Sequence, residues 1–242
     1  MSDTIKVLMV ESGGWGGIGH YTHNLCESLM AEKIEVHLLT ASPYELDTLP
    51  TRFTLDAALR ADQSYFRQAR TLLERIVSTQ ADVVHIQSTF SARRDWLLWS
   101  ILRLSGIRVV YTAHNVLPHD AAERNATGMR EAYDTLYALA ERIIVHGVRI
   151  REELVDRFAP DPHKVRVIPH GDYAFASPDD NQTQAEARKE LGLPEGRPVI
   201  LAFGALRAYK GLTELIDALP DIVDRGPGAV CVIAGKPVGV DP

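Results

Sequence analysis

Short apolar runs alternate with longer amphipathic segments along the first 170 residues of the chain. The runs are continuous in Val, Ile and Leu and predict strands at 5–10, 35–40, 82–86, 109–113, 142–145 and 164–168. Apolar residues at three- and four-residue spacing predict helices at 19–31, 62–78, 93–104, 123–141 and 148–158. Strands without polar alternation are typical of a parallel sheet with helices on both faces. The pattern predicts a doubly wound, Rossmann-like α/β domain over residues 1–170.

The rest of the chain continues this pattern only briefly. Residues 171–196 are polar, contain Pro and Gly, and carry one short helix at 185–191, so we predict an interdomain linker there. Strand, helix and strand follow at 198–203, 212–223 and 229–234. These elements are too few to close a covered sheet, and residues 197–242 are therefore predicted to be an incomplete second Rossmann-like domain. Its partly covered strands would favour self-association.

Composition excludes several classes of function. A net charge of -6 gives no support to nucleic-acid binding. Two cysteines within apolar patterns predict neither a disulfide framework nor a zinc site, and a reducing, cytoplasmic setting fits best. No apolar run approaches the ~20 residues that span a bilayer, so we expect membrane contact to be peripheral at most. The basic and aromatic stretch 93–99 fits a membrane surface, although helices apolar on nearly all sides more often pack against a sheet.

A glycine-rich loop follows the first predicted strand. Its glycines, Gly16 and Gly17 among them, let the backbone approach an anion at the start of a helix. Gly14, Gly16 and Gly19 also match the Gly-x-Gly-x-x-Gly spacing of dinucleotide enzymes. The second strand, however, ends in Thr40 and Ala41 without the carboxylate that would hold a ribose. A dinucleotide-dependent oxidoreductase is therefore only the alternative, and a loop that binds the phosphate groups of another ligand is favoured.

Polar residues stand at the carboxyl ends of two predicted strands, where doubly wound sheets bind their ligands. His114 and Asn115 follow the strand at 109–113, and His85 lies at the end of the strand at 82–86. An imidazole there donates or accepts hydrogen bonds near neutral pH. His114 is the candidate catalytic residue, and His85 and Asn115 are candidates for lining the cleft. His20 and His23 lie on one predicted helix without a ligand partner at metal-site spacing, so we predict no metal site.

A second strand-to-helix turn follows the strand at 198–203. Arg207 and Lys210 lie in this turn, and Gly211 directly precedes the predicted helix. The side-chain charges and the N–H groups of the helix start would act on the same anion. The turn is therefore predicted to bind a diphosphate.

Four motifs in order resemble those of family-4 retaining glycosyltransferases of the GT-B fold. They are Gly-Gly-Ile-Gly at 16–19, Thr-Ala-His-Asn at 112–115, Ile-Pro-His-Gly at 168–171, and the segment 203–211. The resemblance covers essentially the whole chain. It implies two facing Rossmann-like domains, one on the acceptor side and one that binds the donor, and no cofactor. It also implies transfer of a sugar from a nucleotide-diphosphate sugar to an unknown glycan, lipid or small molecule.

The resemblance assigns roles to single residues. Gly16 and Gly17 would offer their backbone to the donor diphosphate, and His114 would contact the transferred sugar. Arg207 and Lys210 would neutralise the leaving diphosphate. The turn residues His170 and Gly171 would line the cleft.

Two departures from the family pattern affect these expectations. Many members have arginine where this chain has Ala205, so Arg207 is expected to take its place. The paired glutamates of the family lie beyond the position of Gly235, where this chain has no place for them. We therefore expect the chain to be inactive on its own, and a non-catalytic interaction partner is the alternative.

Overall fold

The computed structural model describes residues 4–30, 32, 34–117, 126–172, 182–207, 210–226 and 228–237. The chain divides into two compact units, Met1–Pro178 and Asp179–Pro242. The start of the helix predicted at 123–141 lies outside the described residues, as do residues 208 and 209 of the fourth motif. The proposed domain and linker boundaries at 170, 171–196 and 197 remain predictions.

A parallel sheet of seven strands forms the centre of the described part of the first unit. The strands are β1 (Lys6–Glu11), β2 (Glu35–Ala41), β3 (Thr54–Leu59), β4 (Val83–Ile86), β5 (Arg108–Thr112), β6 (Arg142–Val145) and β7 (Val165–Val167). They lie in the order β3-β2-β1-β4-β5-β6-β7, with every neighbouring pair parallel. The order reverses between β1 and β4, which is the switch point of a doubly wound sheet. The predicted fold class is confirmed.

Helices and two apolar cores flank this sheet. The helices are α1 (Gly16–Met30), α2 (Tyr65–Thr79), α3 (Ala92–Leu104), α4 (Ala126–Leu139) and α5 (Val148–Phe158), and a short 3-10 helix, Pro162–Lys164, precedes β7. The larger core joins the sheet to α2 through α5. The smaller core contains Met9 of β1, Cys26 of α1 and Phe53 of the segment between β2 and β3. Leu8 belongs to the larger core and Met9 to the smaller one, because successive strand residues point to opposite faces.

Strand β3 was missed by the sequence analysis. Its sequence, Thr-Leu-Asp-Ala-Ala-Leu, contains Asp and Ala, which are depleted in strands, and it lacks a β-branched run. The segment becomes a strand because it pairs with β2 at the sheet edge and fully buries Leu59. Asp56 of β3 also forms an ion pair with Arg75 of α2. Tertiary pairing therefore decides the structure here against local propensity.

Helix α3 has both an inner and an outer apolar face. Leu98, Trp99 and Leu102 are buried, as expected for packing against the sheet. Leu97 and Leu104 on the outer side are exposed. Among the described helices, none has both the length and the apolar character needed to cross a membrane.

The second unit contains two parallel strands, β8 (Val199–Phe203) and β9 (Val230–Ala234), and the helices α6 (Gln184–Glu190) and α7 (Leu212–Arg225). The loops after the two strands run close together. The N–H of Gly204 donates to the carbonyl of Ala234 at 2.9 Å. A Cβ at Gly235 would lie 1.8 Å from the carbonyl oxygen of Gly204, so only glycine fits there. On β8, Leu201 and Phe203 are exposed.

Candidate functional site

The glycine loop after β1 is held by a carboxylate of the chain itself. Glu11 ends β1 and is 2% exposed, and its two carboxylate oxygens accept the N–H groups of Gly13 and Gly14 at 2.7 Å each. The hydroxyl of Thr40 donates to the same carboxylate at 3.0 Å. Gly14 has a φ of +74°, and a Cβ there would lie 2.6 Å from the carbonyl oxygen of Ala41. This part of the loop is therefore fixed in place and closed to ligands.

The loop continues into the first turn of α1, whose N–H groups have no partners within the helix. The N–H of Gly16 donates to the carboxylate of Glu45 at 2.6 Å, and the same carboxylate lies 3.2 Å from Nε2 of His20. A Cβ at Gly17 would meet nothing within 4 Å. The start of α1 thus holds an internal anion at Gly16 and faces open space at Gly17.

A cavity of about 200 Å³ lies at the carboxyl edge of the sheet beside this loop. Ile18 of α1, Ser88 and Thr89 after β4, and His114 and Asn115 after β5 are among the residues that line it. Ile18, the residue after Gly17, therefore lines the same cavity as His114 and Asn115.

A hydrogen-bonded row of side chains crosses the sheet on its α1 side; we call it the polar row, and it consists of Met9, His85, Gln87, Thr112, His114 and His146. The amide nitrogen of Gln87 lies 3.1 Å from Sδ of Met9 and 3.1 Å from Nε2 of His85. Its amide oxygen lies 3.0 Å from Nε2 of His114. The hydroxyl of Thr112 lies 2.8 Å from Nε2 of His85.

Three imidazoles meet at one end of the polar row. Nδ1 of His114 lies 3.2 Å from Nε2 of His146, and Nδ1 of His146 lies 3.0 Å from the carbonyl oxygen of Ile168. The ring of His170 lies 3.8 Å from that of His146, measured between centroids. The ring of Tyr21 in α1 packs in a T-shaped arrangement against all three imidazoles, with distances of 4.8 to 5.1 Å between ring centroids. The predicted site residues His114 and His170 are thus brought together.

His146 was missed by the sequence analysis. It follows β6 directly, just as His114 lies just past β5, so the rule that selected His114 would also have found it. The predicted absence of a metal site also has to be reconsidered, because ligand nitrogens of His114, His146 and His170 lie within 4.8 Å of one another.

Burial and neighbouring imidazoles lower the pKa values of His114, His85 and His170. Burial, followed by the neighbouring His146, His170 and His85, lowers the pKa of His114 to about 3. Burial lowers the pKa of His85 to about 4. Burial and then His146 lower the pKa of His170. A neutral imidazole has one N–H and one lone pair, so the partners of each ring determine where its proton lies.

Other predicted residues have different surroundings from those expected. His85 lies within β4 and is buried under Gln87, and it is not among the residues that line the cavity. Its hydrogen bond to Thr112 explains why an imidazole is tolerated inside the sheet. A Cβ at Gly171 would lie 3.1 Å from Nδ2 of Asn24, so this glycine packs closely against α1.

The turn between β8 and α7 carries the other predicted anion site. The N–H of Lys210 donates to the carbonyl of Arg207 at 3.0 Å, and Gly211, with a φ of +71°, is the N-cap of α7. The N–H of Leu206 donates to the carbonyl of Lys236 at 2.9 Å, which adds a third cationic residue on the adjoining loop. The sequence analysis did not include Lys236, although it follows a strand end.

Known proteins match both parts of the chain. A family model described as Glycosyltransferase Family 4 matches residues 15–171. The chain belongs to this family. A second model, described as Glycosyl transferases group 1, matches residues 183–241 of this family-4 glycosyltransferase chain. The resemblance drawn from the four motifs is confirmed at the level of the family.

Curated relatives of this family-4 chain include two D-inositol 3-phosphate glycosyltransferases. The protein from Corynebacterium glutamicum is 29% identical over 228 residues, which cover 87% of this chain and 50% of the relative. The protein from Corynebacterium efficiens is 30% identical over 173 residues, which cover 65% of this chain and 39% of the relative. The chain spans half or less of these two relatives.

Solved structures share the fold at low identity. HepE from Anabaena, in complex with UDP and glucose, has a TM-score of 0.71 at 17% identity, covering 97% of this chain and 62% of that one. A putative UDP-N-acetylglucosamine 2-epimerase from Listeria monocytogenes has a TM-score of 0.65 at 14% identity, covering 95% and 62%. A protein that binds UDP and glucose and a putative epimerase thus share this architecture, so the fold alone does not select the reaction.

Proposed function

We propose that this family-4 protein is a retaining glycosyltransferase that moves a sugar from a nucleotide-diphosphate sugar to an acceptor. One observation supports this most directly: space is open beside Gly17, and the next residue, Ile18, lines the same cavity as His114 and Asn115. The structure of HepE in complex with UDP and glucose supports a UDP-sugar as donor. Both cysteines are free thiols, in keeping with a reducing, cytoplasmic setting.

Each unit by itself offers groups that would bind a diphosphate. In the first unit, space is open beside Gly17 at the start of α1, and a bound diphosphate would take the place of the Glu45 carboxylate that accepts the N–H of Gly16. In the second unit, Arg207 and Lys210 supply positive charge at the turn before α7. As the sugar leaves, negative charge develops on the diphosphate, and preorganised donors of this kind lower the barrier.

His114 would contact the transferred sugar. The cavity is lined by both partners of the hydrogen bond between His114 and Gln87. A sugar hydroxyl in the cavity can join that bond, accepting from the imidazole or donating to the amide oxygen. Asn115, His170 and Gly171 complete the proposed surroundings of the sugar.

The experiment compares two alanine substitutions in α1 by calorimetric titration with UDP, GDP, ADP and NAD. Gly17→Ala places a methyl group in the open space and so blocks the approach of an anion to the backbone. This change should weaken binding of the preferred nucleoside diphosphate about tenfold, which corresponds to the loss of one hydrogen bond to a charged group. Gly19→Ala is the matched control, because its Cβ would meet only an ordinary contact at 3.8 Å. Glu45→Gln removes the competing anion and should tighten binding about two- to fivefold.

Equal weakening by both alanine variants would contradict the role given to Gly17. Tight binding of NAD without binding of any nucleoside diphosphate would instead favour the oxidoreductase alternative. A sugar-transfer assay with UDP-, GDP- and ADP-sugars then tests the reaction itself.

In the second unit, we propose that Lys210 contributes more than Arg207 to diphosphate affinity. Lys210 directly precedes the N-cap Gly211, so its charge and the helix N-terminus act on one anion. Lys210→Ala should therefore weaken nucleoside-diphosphate binding more than Arg207→Ala does. The opposite order would show that Arg207 has taken over the position that Ala205 leaves without a charge.

A further inference from the structure

The partners of His146 fix the position of its proton. Nδ1 of His146 lies 3.0 Å from the carbonyl oxygen of Ile168, and a carbonyl oxygen only accepts hydrogen bonds. Nδ1 therefore carries the N–H. With its N–H on Nδ1, the ring of His146 presents the lone pair of Nε2 to Nδ1 of His114 at 3.2 Å.

The partners of His114 fix its proton in the same way. The amide nitrogen of Gln87 faces the thioether sulfur of Met9, which only accepts, so the amide oxygen faces Nε2 of His114. Nε2 of His114 therefore carries the N–H, and its Nδ1 is a bare lone pair. Two lone pairs thus face each other across 3.2 Å, an arrangement that repels unless a cation lies between them.

We propose that His114, His146 and His170 form a binding site for one divalent transition-metal ion, with Zn²⁺ as the preferred occupant. A Zn–N distance of about 2.0–2.1 Å in a tetrahedral site separates two ligand nitrogens by about 3.3 Å, close to the 3.2 Å between His114 and His146. The ring of His170 is exposed, and its ligand nitrogen lies within 4.8 Å of the other two. Rotation of this side chain brings the third nitrogen to the ion.

The surroundings of the three imidazoles match those of a metal site. The N–H groups of His114 and His146 that point away from the site both donate to carbonyl-type oxygens, those of Gln87 and Ile168. Metal-bound histidines use such bonds to fix their tautomer and orientation. A set of three imidazole nitrogens without a carboxylate selects Zn²⁺, Ni²⁺ or Cu²⁺ over Mg²⁺ or Ca²⁺. The exposed side next to His170 leaves a fourth position for water.

This proposal goes beyond sugar transfer, and its test needs no donor or acceptor. The metal-free full chain is titrated with Co²⁺, the visible bands of tetrahedral cobalt are recorded, and Zn²⁺ is then added as a competitor. We expect one Co²⁺ per chain, displaced by Zn²⁺, and no displacement by Mg²⁺.

Three variants locate the site. His170→Ala removes an exposed ligand and should weaken Co²⁺ binding at least tenfold while circular dichroism shows an unchanged fold. Gln87→Leu removes a bond that orients His114 and should weaken binding about 10- to 100-fold. His163→Ala is the matched control, because this exposed histidine lies in the 3-10 helix that precedes β7, at the amino end of that strand. The His163→Ala variant should bind Co²⁺ as the unmodified chain does.

Absence of cobalt bands in the unmodified chain would overturn the proposal. So would equal titrations of His170→Ala and His163→Ala. Nitrogen NMR after addition of Zn²⁺ gives a further check. If it still shows a proton shared between His114 and His146, the proposed metal site is wrong.

Discussion

Replacing Glu11 by Gln should destabilise the protein, because this side chain fastens the glycine loop. The carboxylate is 2% exposed and accepts the N–H groups of Gly13 and Gly14 at 2.7 Å each. Glutamine keeps one acceptor oxygen and turns an NH₂ group toward the other backbone N–H, leaving a buried donor without a partner. Losing one hydrogen bond to a charged group costs about 2 to 3 kcal/mol. For a chain of this size that corresponds to a fall in Tm of about 4 to 12 °C.

Urea unfolding followed by circular dichroism measures this loss, with Glu45→Gln as the matched control. Glu45 also accepts a loop N–H, that of Gly16 at 2.6 Å, but its side chain is 48% exposed. Water replaces the lost bond there, so the control should change the free energy of unfolding by less than about 1 kcal/mol. A Glu11→Gln variant as stable as the unmodified chain, or no more affected than the control, would refute this account of the loop.

Three further predictions concern the core of the first unit. Burial raises the pKa of Asp95 to about 6, so the folded state binds its proton more tightly than the unfolded state does. The contribution of Asp95 to the free energy of unfolding should therefore fall by about 2 kcal/mol as pH rises from 4 to 7. Asp95→Asn should remove that part of the slope in unfolding titrations across this pH range. Trp99 is 1% exposed in the larger core, and Trp99→Ala should cost about 3 to 5 kcal/mol in urea unfolding. Cys26 is fully buried, and burial raises the pKa of its thiol, so a thiol reagent should modify the half-buried Cys231 first. Equal rates in the native protein would contradict the placement of Cys26.

Local pattern was sufficient to predict most of the fold. Continuous apolar runs identified every strand of the first unit that lies inside the sheet, because both faces of those strands are buried. The exception was the edge strand β3, whose Asp56 and alanines have low strand propensity. Pairing with β2 stabilises β3, and a short stretch of sequence does not show which other segment it will pair with.

The candidate site was predictable only in part. Position after a strand selected His114, and the same rule would have selected His146 had it been applied to β6. The sequence offered no sign that Glu45 would accept the N–H of Gly16, because the two residues lie 29 positions apart along the chain. Hydrogen bonds between distant residues depend on strand order, which the spacing of motifs does not specify.

The hydrogen bonds of the polar row can be used to follow the assembly of this sheet during folding. Its members come from β1, β4, β5 and β6, and its last bond joins His146 to Ile168, just past β7. Contacts between strands so far apart in sequence form only after the intervening loops have closed. The imidazole signals of His114 and His146 in refolding NMR experiments would therefore reach their native positions only when the last strand has docked.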